Sequence, residues 1–139
     1  MKYLSLLASV LLFGGCHKPT GVNWLLGAWV ADVEHTRKQT LAAPETGPNA
    51  VLEAKLREQL LSALPNVQMT FSAHELIATK DGNGQAQHYE VISAPDAQTC
   101  VLKFADGKVE TYHREGARLW MATTGSMQAM RVYFRHPNG

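Results

Sequence analysis

The sequence predicts an α+β fold, in which an antiparallel β meander or small barrel of about seven or eight strands packs with one amphipathic helix. From residue 67 onward, short apolar segments alternate with glycine-containing turn sequences, a pattern typical of hairpin-connected strands. Leucines recur at every fourth position of one earlier segment, which is typical of a helix with one apolar face. Because the connections between the later strands are shorter than a dozen residues, neighbouring strands must be antiparallel.

The first strand is predicted around Trp29, within residues 23–34, where apolar residues predominate. Thr36 and Gln39 have the spacing of a capping box, in which each side chain satisfies a free backbone N–H of the other. We therefore expect the strand to end near Glu34 and a helical turn to begin at Thr36. The residues from 42 to 48 include two prolines and a glycine, which predicts a loop.

The clearest helix spans residues 49–64, with Asn49 as its N-cap and Pro65 after its end. Its apolar positions form one stripe, so the helix is amphipathic. We expect the stripe to cover the open side of the chain's own sheet, and the alternative is a face that binds a partner. The stripe consists of Leu52, Leu56, Leu60 and Leu64.

Seven further strands are predicted at residues 67–71, 75–79, 88–92, 99–104, 109–113, 119–122 and 127–134. The turn sequences 81–84, 105–108, 114–117 and 123–126 have the lengths found in hairpins. Side chains alternate between the two faces of a strand, so the apolar positions identify the inward face. The predicted inward set is Met69, Phe71, Tyr89, Val91, Cys100, Leu102, Phe104, Leu119, Met121, Met130, Val132 and Phe134.

Residues 1–15 have the order of a secretory signal, namely a positive start at Lys2, an apolar run of about 11 residues and then small residues. A membrane-spanning helix needs about 20 apolar residues, so the length of this run argues against a span. Residues 16–23 are then predicted to be a short polar tether. Residues 24–139 are predicted to form a single domain.

The signal ends in Phe13-Gly14-Gly15-Cys16, which resembles the lipobox of bacterial lipoproteins. The resemblance implies cleavage before Cys16, a diacylglycerol on its sulfur and a further acyl chain, such as palmitate, on its amine. His17 follows instead of Asp, the usual signal for inner-membrane retention, which implies an outer-membrane location facing the periplasm. The alternative is an ordinary signal peptide in which Cys16 is a plain thiol or half of a disulfide.

A second resemblance concerns Gly27-Ala28-Trp29 together with Asp32 and Thr36, which is similar to the opening of small lipocalin-like envelope lipoproteins. These proteins begin with G-x-W, turn into a helix and return through an antiparallel meander. The resemblance implies that Trp29 packs across the bottom of the barrel under a basic residue of the last strand. The candidates for that residue are Arg131 and Arg135.

Charge and motifs argue against several classes of function. The chain has 13 basic and 12 acidic side chains, and a balance this close to neutral argues against nucleic-acid binding. The sequence has no G-x-S-x-G, H-E-x-x-H, C-x-x-C or phosphate-binding glycine loop, so we predict neither catalysis nor a cofactor. Asp81-Gly82-Asn83-Gly84 has the start of a calcium loop without its closing Glu, and this favours a hairpin turn over a metal site.

Individual histidines and Cys100 offer weaker chemical alternatives. If the strands brought His74, His88 and His113 together, the three imidazoles would suit zinc, but the favoured interpretation is that they are solvent-facing. Cys100 beside a histidine would form a nucleophilic pair. Its apolar neighbours favour a buried and inert thiol, which has no partner in the chain if Cys16 is acylated.

Three aromatic residues, Trp24, Tyr112 and Trp120, are candidates for a partner surface, although plain packing is the favoured interpretation. Trp24 precedes the first strand, and the other two lie opposite the apparent core residues of their strands. Aromatic residues off the core face are enriched at protein interfaces.

Taken with the anchor, these residues predict a non-catalytic outer-membrane lipoprotein that binds another envelope protein, in secretion, in envelope assembly, or as an inhibitor or immunity protein. The alternative function is a lipocalin-like carrier of a small apolar ligand.

Overall fold

The computed structural model describes residues 22–42, 47–123 and 130–138. Eight strands follow one another in sequence order around one closed antiparallel barrel, in which the last strand pairs with the first. The predicted fold class is therefore confirmed, in its barrel form. The strands are β1 (Gly27–Ala31), β2 (Val67–Phe71), β3 (Glu75–Lys80), β4 (Asn83–Asp96), β5 (Thr99–Phe104), β6 (Val109–Glu115), β7 (Arg118–Ala122) and β8 (Arg131–Arg135), and the helices are α1 (Val33–Ala42) and α2 (Ala50–Ala63), preceded by a 3₁₀ turn (Asn23–Leu25).

Local turn chemistry sets the tight connection between β3 and β4. Asp81 and Gly82 both have positive φ, at 53° and 82°, which is the geometry of a two-residue hairpin turn. Gly84 faces Thr79 across the pair, and a Cβ at residue 84 would overlap the Thr79 side chain and the Ala78 carbonyl. The sequence 81–84 is thus a hairpin, as predicted.

The alternation of side chains correctly identifies most of the barrel interior. The predicted inward residues are buried, apart from Val91 and Met121, which are half-buried and pack against the same core. Aromatic rings are in contact with one another inside the barrel, with ring centroids 5.4 Å apart for Phe71 and Tyr112 and 6.0 Å apart for Phe71 and Tyr89. The interior is therefore occupied by packed side chains from all around the barrel.

The segment after β1 differs from the prediction. The strand ends at Ala31, and α1 begins at Val33 instead of Thr36. Asp32 caps α1, since its Oδ1 accepts a hydrogen bond from the His35 N–H at 3.1 Å. Thr36 is buried inside the helix, and its hydroxyl accepts the Tyr133 N–H at 2.9 Å. A contact distant in sequence therefore overrides the local capping-box pattern.

Asp32 also ties α1 to the sheet. Its Oδ2 lies 3.0 Å from Nε of Arg118 on β7. Burial alone would raise the pKa of Asp32, but the hydrogen bond from His35 and the hydrogen bond and charge of Arg118 hold this pKa below its ordinary value. The carboxylate is thus kept ionised where it fixes the start of α1 against the barrel.

Helix α2 agrees with the predicted span to within one residue at each end, but its details differ. Asn49 is the N-cap residue, yet its side chain makes no capping hydrogen bond. The leucine stripe is buried only toward the end of the helix, where Leu64 belongs to the core, while Leu52 and Leu56 remain exposed. The prediction that the whole stripe covers the sheet is therefore wrong for the first half of the helix.

The two ends of the barrel are closed differently. The β1–β2, β3–β4, β5–β6 and β7–β8 connections lie at one end, called here the helical end because the β1–β2 connection contains both helices. There α2 inserts Leu61 into the core, and Nζ of Lys80 donates to the Ala63 carbonyl at 2.9 Å. The 3₁₀ turn lies at the opposite end and inserts Leu25 into the same core.

Candidate functional site

Tyr112 does not belong to an exposed aromatic surface, so for this residue plain packing is correct and the partner-surface candidate is wrong. The side chain is 1% exposed and pairs with Cys100 on the next strand inside the barrel. Its hydroxyl donates a hydrogen bond to the Glu110 carboxylate. The same carboxylate forms an ion pair with Nζ of Lys108 at 2.9 Å. Burial, followed by the charge of Glu110, raises the pKa of Tyr112. Tyr112 is a core residue that holds an inward carboxylate.

Trp120 lies on the outer face of β7, as predicted, and it is half-buried by its neighbours. The His113 ring stacks on it with centroids 3.8 Å apart and an interplanar angle of 12°. The Arg131 guanidinium lies 4.0 Å from the centroid of the Trp120 ring, a cation–π distance. The indole is thus held by side chains from both neighbouring strands.

This stack has an effect on the charge of His113. Burial and, to a smaller extent, the positive charge of Arg131 lower the pKa of His113, against a weaker opposite effect of Asp96. The neutral imidazole is therefore favoured in the folded protein. Above pH 7 the stack carries a single positive charge, that of Arg131.

Acidification is expected to weaken the fold through His113. Because the folded protein lowers this pKa, the unfolded chain binds more protons once the pH falls below about 6.5, and the free energy of unfolding then decreases. Urea unfolding at pH 7.5 and pH 5.5 should show a larger loss for the wild type than for His113→Gln, which has no proton to gain. Equal losses in the two proteins would contradict this role of His113.

Trp24 lies in the 3₁₀ turn before β1 and packs against the core while remaining half-exposed. Its indole nitrogen is buried and has no hydrogen-bond partner among the residues that the structure describes. Trp24 and Trp120 belong to different parts of the barrel, and Tyr112 lies inside it. The three predicted aromatics therefore do not combine into one surface.

Trp29 is buried in the core beside the 3₁₀ turn, and the side chain that stacks on it is neither of the two arginines that the lipocalin-like resemblance implies. The indole is 2% exposed, and its Nε1 donates to the Leu25 carbonyl at 2.8 Å. The ring that stacks on it is that of His136, directly after β8, with centroids 3.9 Å apart. Of the two predicted arginines, Arg131 lies over Trp120 instead, and Arg135 donates to the His136 carbonyl.

The groups with reactive chemistry do not form a site in the described residues. Burial raises the pKa of the Cys100 thiol to about 12, so the thiolate is disfavoured. His88 lies 3.9 Å from the Glu75 carboxylate, and His113 stacks on Trp120. Within residues 22–42, 47–123 and 130–138, no three His, Cys, Asp or Glu side chains are grouped to hold a metal ion.

A cleft at the helical end is the feature that the sequence does not reveal. Its volume is about 610 Å³, and it lies between β6 and the end of β7, beneath two leucines of α2. The pairing of β6 with β7 extends only from Glu115↔Arg118 to His113↔Trp120. Beyond this point the two strands separate. The cleft is lined by Leu56, Leu60, Lys108, Val109, Glu110, Thr111, His113, Met121, Ala122 and Thr123.

A second apolar feature lies next to the cleft on the helices. Leu52 and Leu56 are one turn apart on α2, and Val51 precedes them. We call these three residues and Leu41, near the end of α1, the helical patch. Their side chains are between 38% and 76% exposed, which is unusual for large apolar residues on two neighbouring helices.

The predicted lipidation site, Cys16, lies outside the described residues. In the described part of the chain, no helix has the length and apolar character required to cross a membrane. Comparison with protein-family models, with curated proteins and with solved structures finds no match to this chain.

Proposed function

We propose that this protein is a non-catalytic lipoprotein of the bacterial outer membrane that binds another envelope protein on the periplasmic side. The observation that carries the proposal is the contrast between a barrel interior occupied by packed side chains and a helical patch whose apolar side chains face solvent. A carrier needs its apolar surface inside, whereas a binding module presents it outside.

The anchor is the lipobox-like sequence that ends at Cys16. Acyl chains each contribute about 0.8 kcal/mol per buried CH₂, and stable attachment takes at least two of them. The segment between Cys16 and Val22 spans about 20 Å when fully extended, so the domain would lie close to the bilayer. Val22, the first described residue, lies at the end opposite the helices, so a tether attached there would leave the helical patch on the side away from the bilayer.

The helical patch has the composition of a protein interface. It combines Leu41, Val51, Leu52 and Leu56 with a polar border, where Arg37 on α1 pairs with Glu58 on α2 at 3.0 Å. An apolar centre with a polar rim is the usual anatomy of such interfaces. Within the described residues, no three His, Cys, Asp or Glu side chains are grouped to hold a metal ion.

Photocrosslinking in intact cells tests the proposal. We expect benzoylphenylalanine at Val51, in the helical patch, to capture one envelope protein in a defined ratio. The same label at Ile92 is the control, because Ile92 is an exposed apolar residue on β4, away from the helices. The captured protein should bind the purified lipoprotein again, and Leu52→Glu should weaken that binding at least tenfold. Equal capture from both positions, or from neither, would contradict the proposal.

A second candidate function, the lipocalin-like carrier, is favoured by the cleft alone. Its volume of about 610 Å³ lies within the range of small-molecule sites, and Leu56, Leu60 and Met121 supply apolar walls. Native mass spectrometry of the protein extracted in detergent distinguishes the two candidates. A retained small apolar molecule would favour the carrier, and an empty protein that copurifies with one envelope protein would favour the binding module.

A further inference from the structure

The backbone of β6 has a defined orientation toward the cleft. The Phe104 N–H donates to the Lys108 carbonyl at 2.8 Å, and the Arg114 N–H donates to the Gln98 carbonyl at 2.7 Å. Residues 108 and 114 thus direct their backbone groups toward β5. Because these directions alternate along an antiparallel strand, Val109, Thr111 and His113 direct theirs toward β7.

Only the last of these three residues finds a partner strand there. His113 pairs with Trp120, but among the described residues no paired position joins Val109 or Thr111 to β7. Ala122 would be the next partner of Thr111 in this register, yet it pairs with Arg131 on β8 alone. Inside a closed barrel, this part of β6 therefore has the character of an edge strand, with backbone donors and acceptors directed into the cleft.

The walls of the cleft would receive alternating side chains. Leu56 and Leu60 lie above β6, and Met121 lies across from it, so one wall is apolar. Lys108 and Glu110 form an ion pair at 2.9 Å that provides a polar border. Val109 is 52% exposed, so the opening is accessible from solvent.

We propose that the cleft between β6 and β7 binds an extended peptide segment of a protein partner, which adds to β6 as a further strand. The occupant follows from the backbone, since N–H and C=O groups in line along a strand edge are matched by another extended chain. Alternate apolar side chains of that segment would contact Leu56, Leu60 and Met121. The inference rests on the proposed function and adds to it the kind of partner segment and the strand that receives it.

Replacement of Thr111 by proline isolates the backbone contribution. Proline removes the N–H that faces the cleft, and the pairing with β5 is kept because residue 111 has no hydrogen bond on that side. Thr111→Val is the matched control, since it changes the side chain and keeps the N–H. Val109→Pro with Val109→Thr forms a second pair, which is used if Thr111→Pro does not fold as judged by its thermal unfolding midpoint.

The probe is a phage-displayed library of random 12-residue peptides, panned on the full chain in detergent. We expect the selected peptides to bind the proline variant about tenfold more weakly, the effect of one lost backbone hydrogen bond, and to bind the valine variant within twofold of the wild type. Bound peptide should slow amide exchange at Val109 and Thr111. It should leave the rates at Glu110 and Tyr112 unchanged, because those amides already pair with β5.

Three results would overturn strand addition: selection of no peptide, equal affinity for the wild type and Thr111→Pro, or displacement of the peptide by a small molecule with no protection of the two amides. The photocrosslinked envelope protein separates this failure from failure of the proposed function. If Val51 still captures that protein from Thr111→Pro as efficiently as from Thr111→Val, the binding module stands and strand addition fails. If Val51 captures no protein in the wild type, both proposals fail.

Discussion

Replacement of Trp29 by alanine is expected to lower the free energy of unfolding by about 3–5 kcal/mol. The indole is 2% exposed and belongs to the core, so its removal leaves a cavity that the rigid barrel cannot fill. The substitution also leaves the Leu25 carbonyl without its donor and the His136 ring without its stacking partner. Since small domains have about 5–15 kcal/mol of stability in total, this is a large fraction of it.

Urea unfolding measures this effect against two controls. Trp29→Phe keeps a ring and loses the indole N–H, so we expect a smaller loss of about 1–3 kcal/mol. Trp120→Ala removes an indole from the outer face, where it is only half-buried, and should cost less than Trp29→Ala. A loss below about 1 kcal/mol for Trp29→Ala, or a loss for Trp120→Ala that exceeds that for Trp29→Ala, would contradict the expected contribution of Trp29 to the core.

Cys16→Ser is expected to abolish acylation completely. The thiol is the only group at the end of the lipobox-like sequence that can form the thioether, so palmitate labelling should fall to background and the leader should be retained. In the proposed function these acyl chains are what holds the processed protein at the bilayer. Metabolic labelling and the mass of the purified protein measure the two effects.

The chain supplies its own control for this experiment. Cys100 is the second cysteine of the sequence and is fully buried inside the barrel, so Cys100→Ser should keep the label and the processed mass. Label that persists in Cys16→Ser, or that is lost in Cys100→Ser, would contradict lipidation of Cys16. Wild-type protein that retains its leader would contradict the predicted location as well.

The sequence predicts the barrel interior well because a period of two is a strong signal on a strand with one buried face. It fails on β6, where Val109 and Tyr112 are both apolar but lie on opposite faces. Tyr112 is predicted to face away from the core, but it is buried, and Val109 is 52% exposed instead. Glu110, on the same face as Tyr112, is an inward carboxylate, and its polarity concealed the true alternation.

The features that sequence reasoning missed depend on contacts between distant segments. The position of Thr36 is decided by Tyr133, which lies 97 residues away. The cleft depends on where β6 and β7 separate, beyond the pair His113↔Trp120, and no local pattern marks this position. The exposure of Leu52 and Leu56 depends on which part of α2 packs on the barrel, and no helical pattern specifies this.

The junction of β1 with β8 has a consequence for the order of events in folding. Only two paired positions join these strands, Val30↔Arg135 and Ala31↔Phe134, and Asp32 and Thr36 extend the junction by hydrogen bonds to the Tyr133 backbone. Every one of these contacts connects β1, or the start of α1 directly after it, with β8. Such distant contacts are slow to form because a long loop must close first. The ring can therefore close only after β8 has joined β1, and a partly folded chain in which β8 is still unpaired is an open sheet with two free borders.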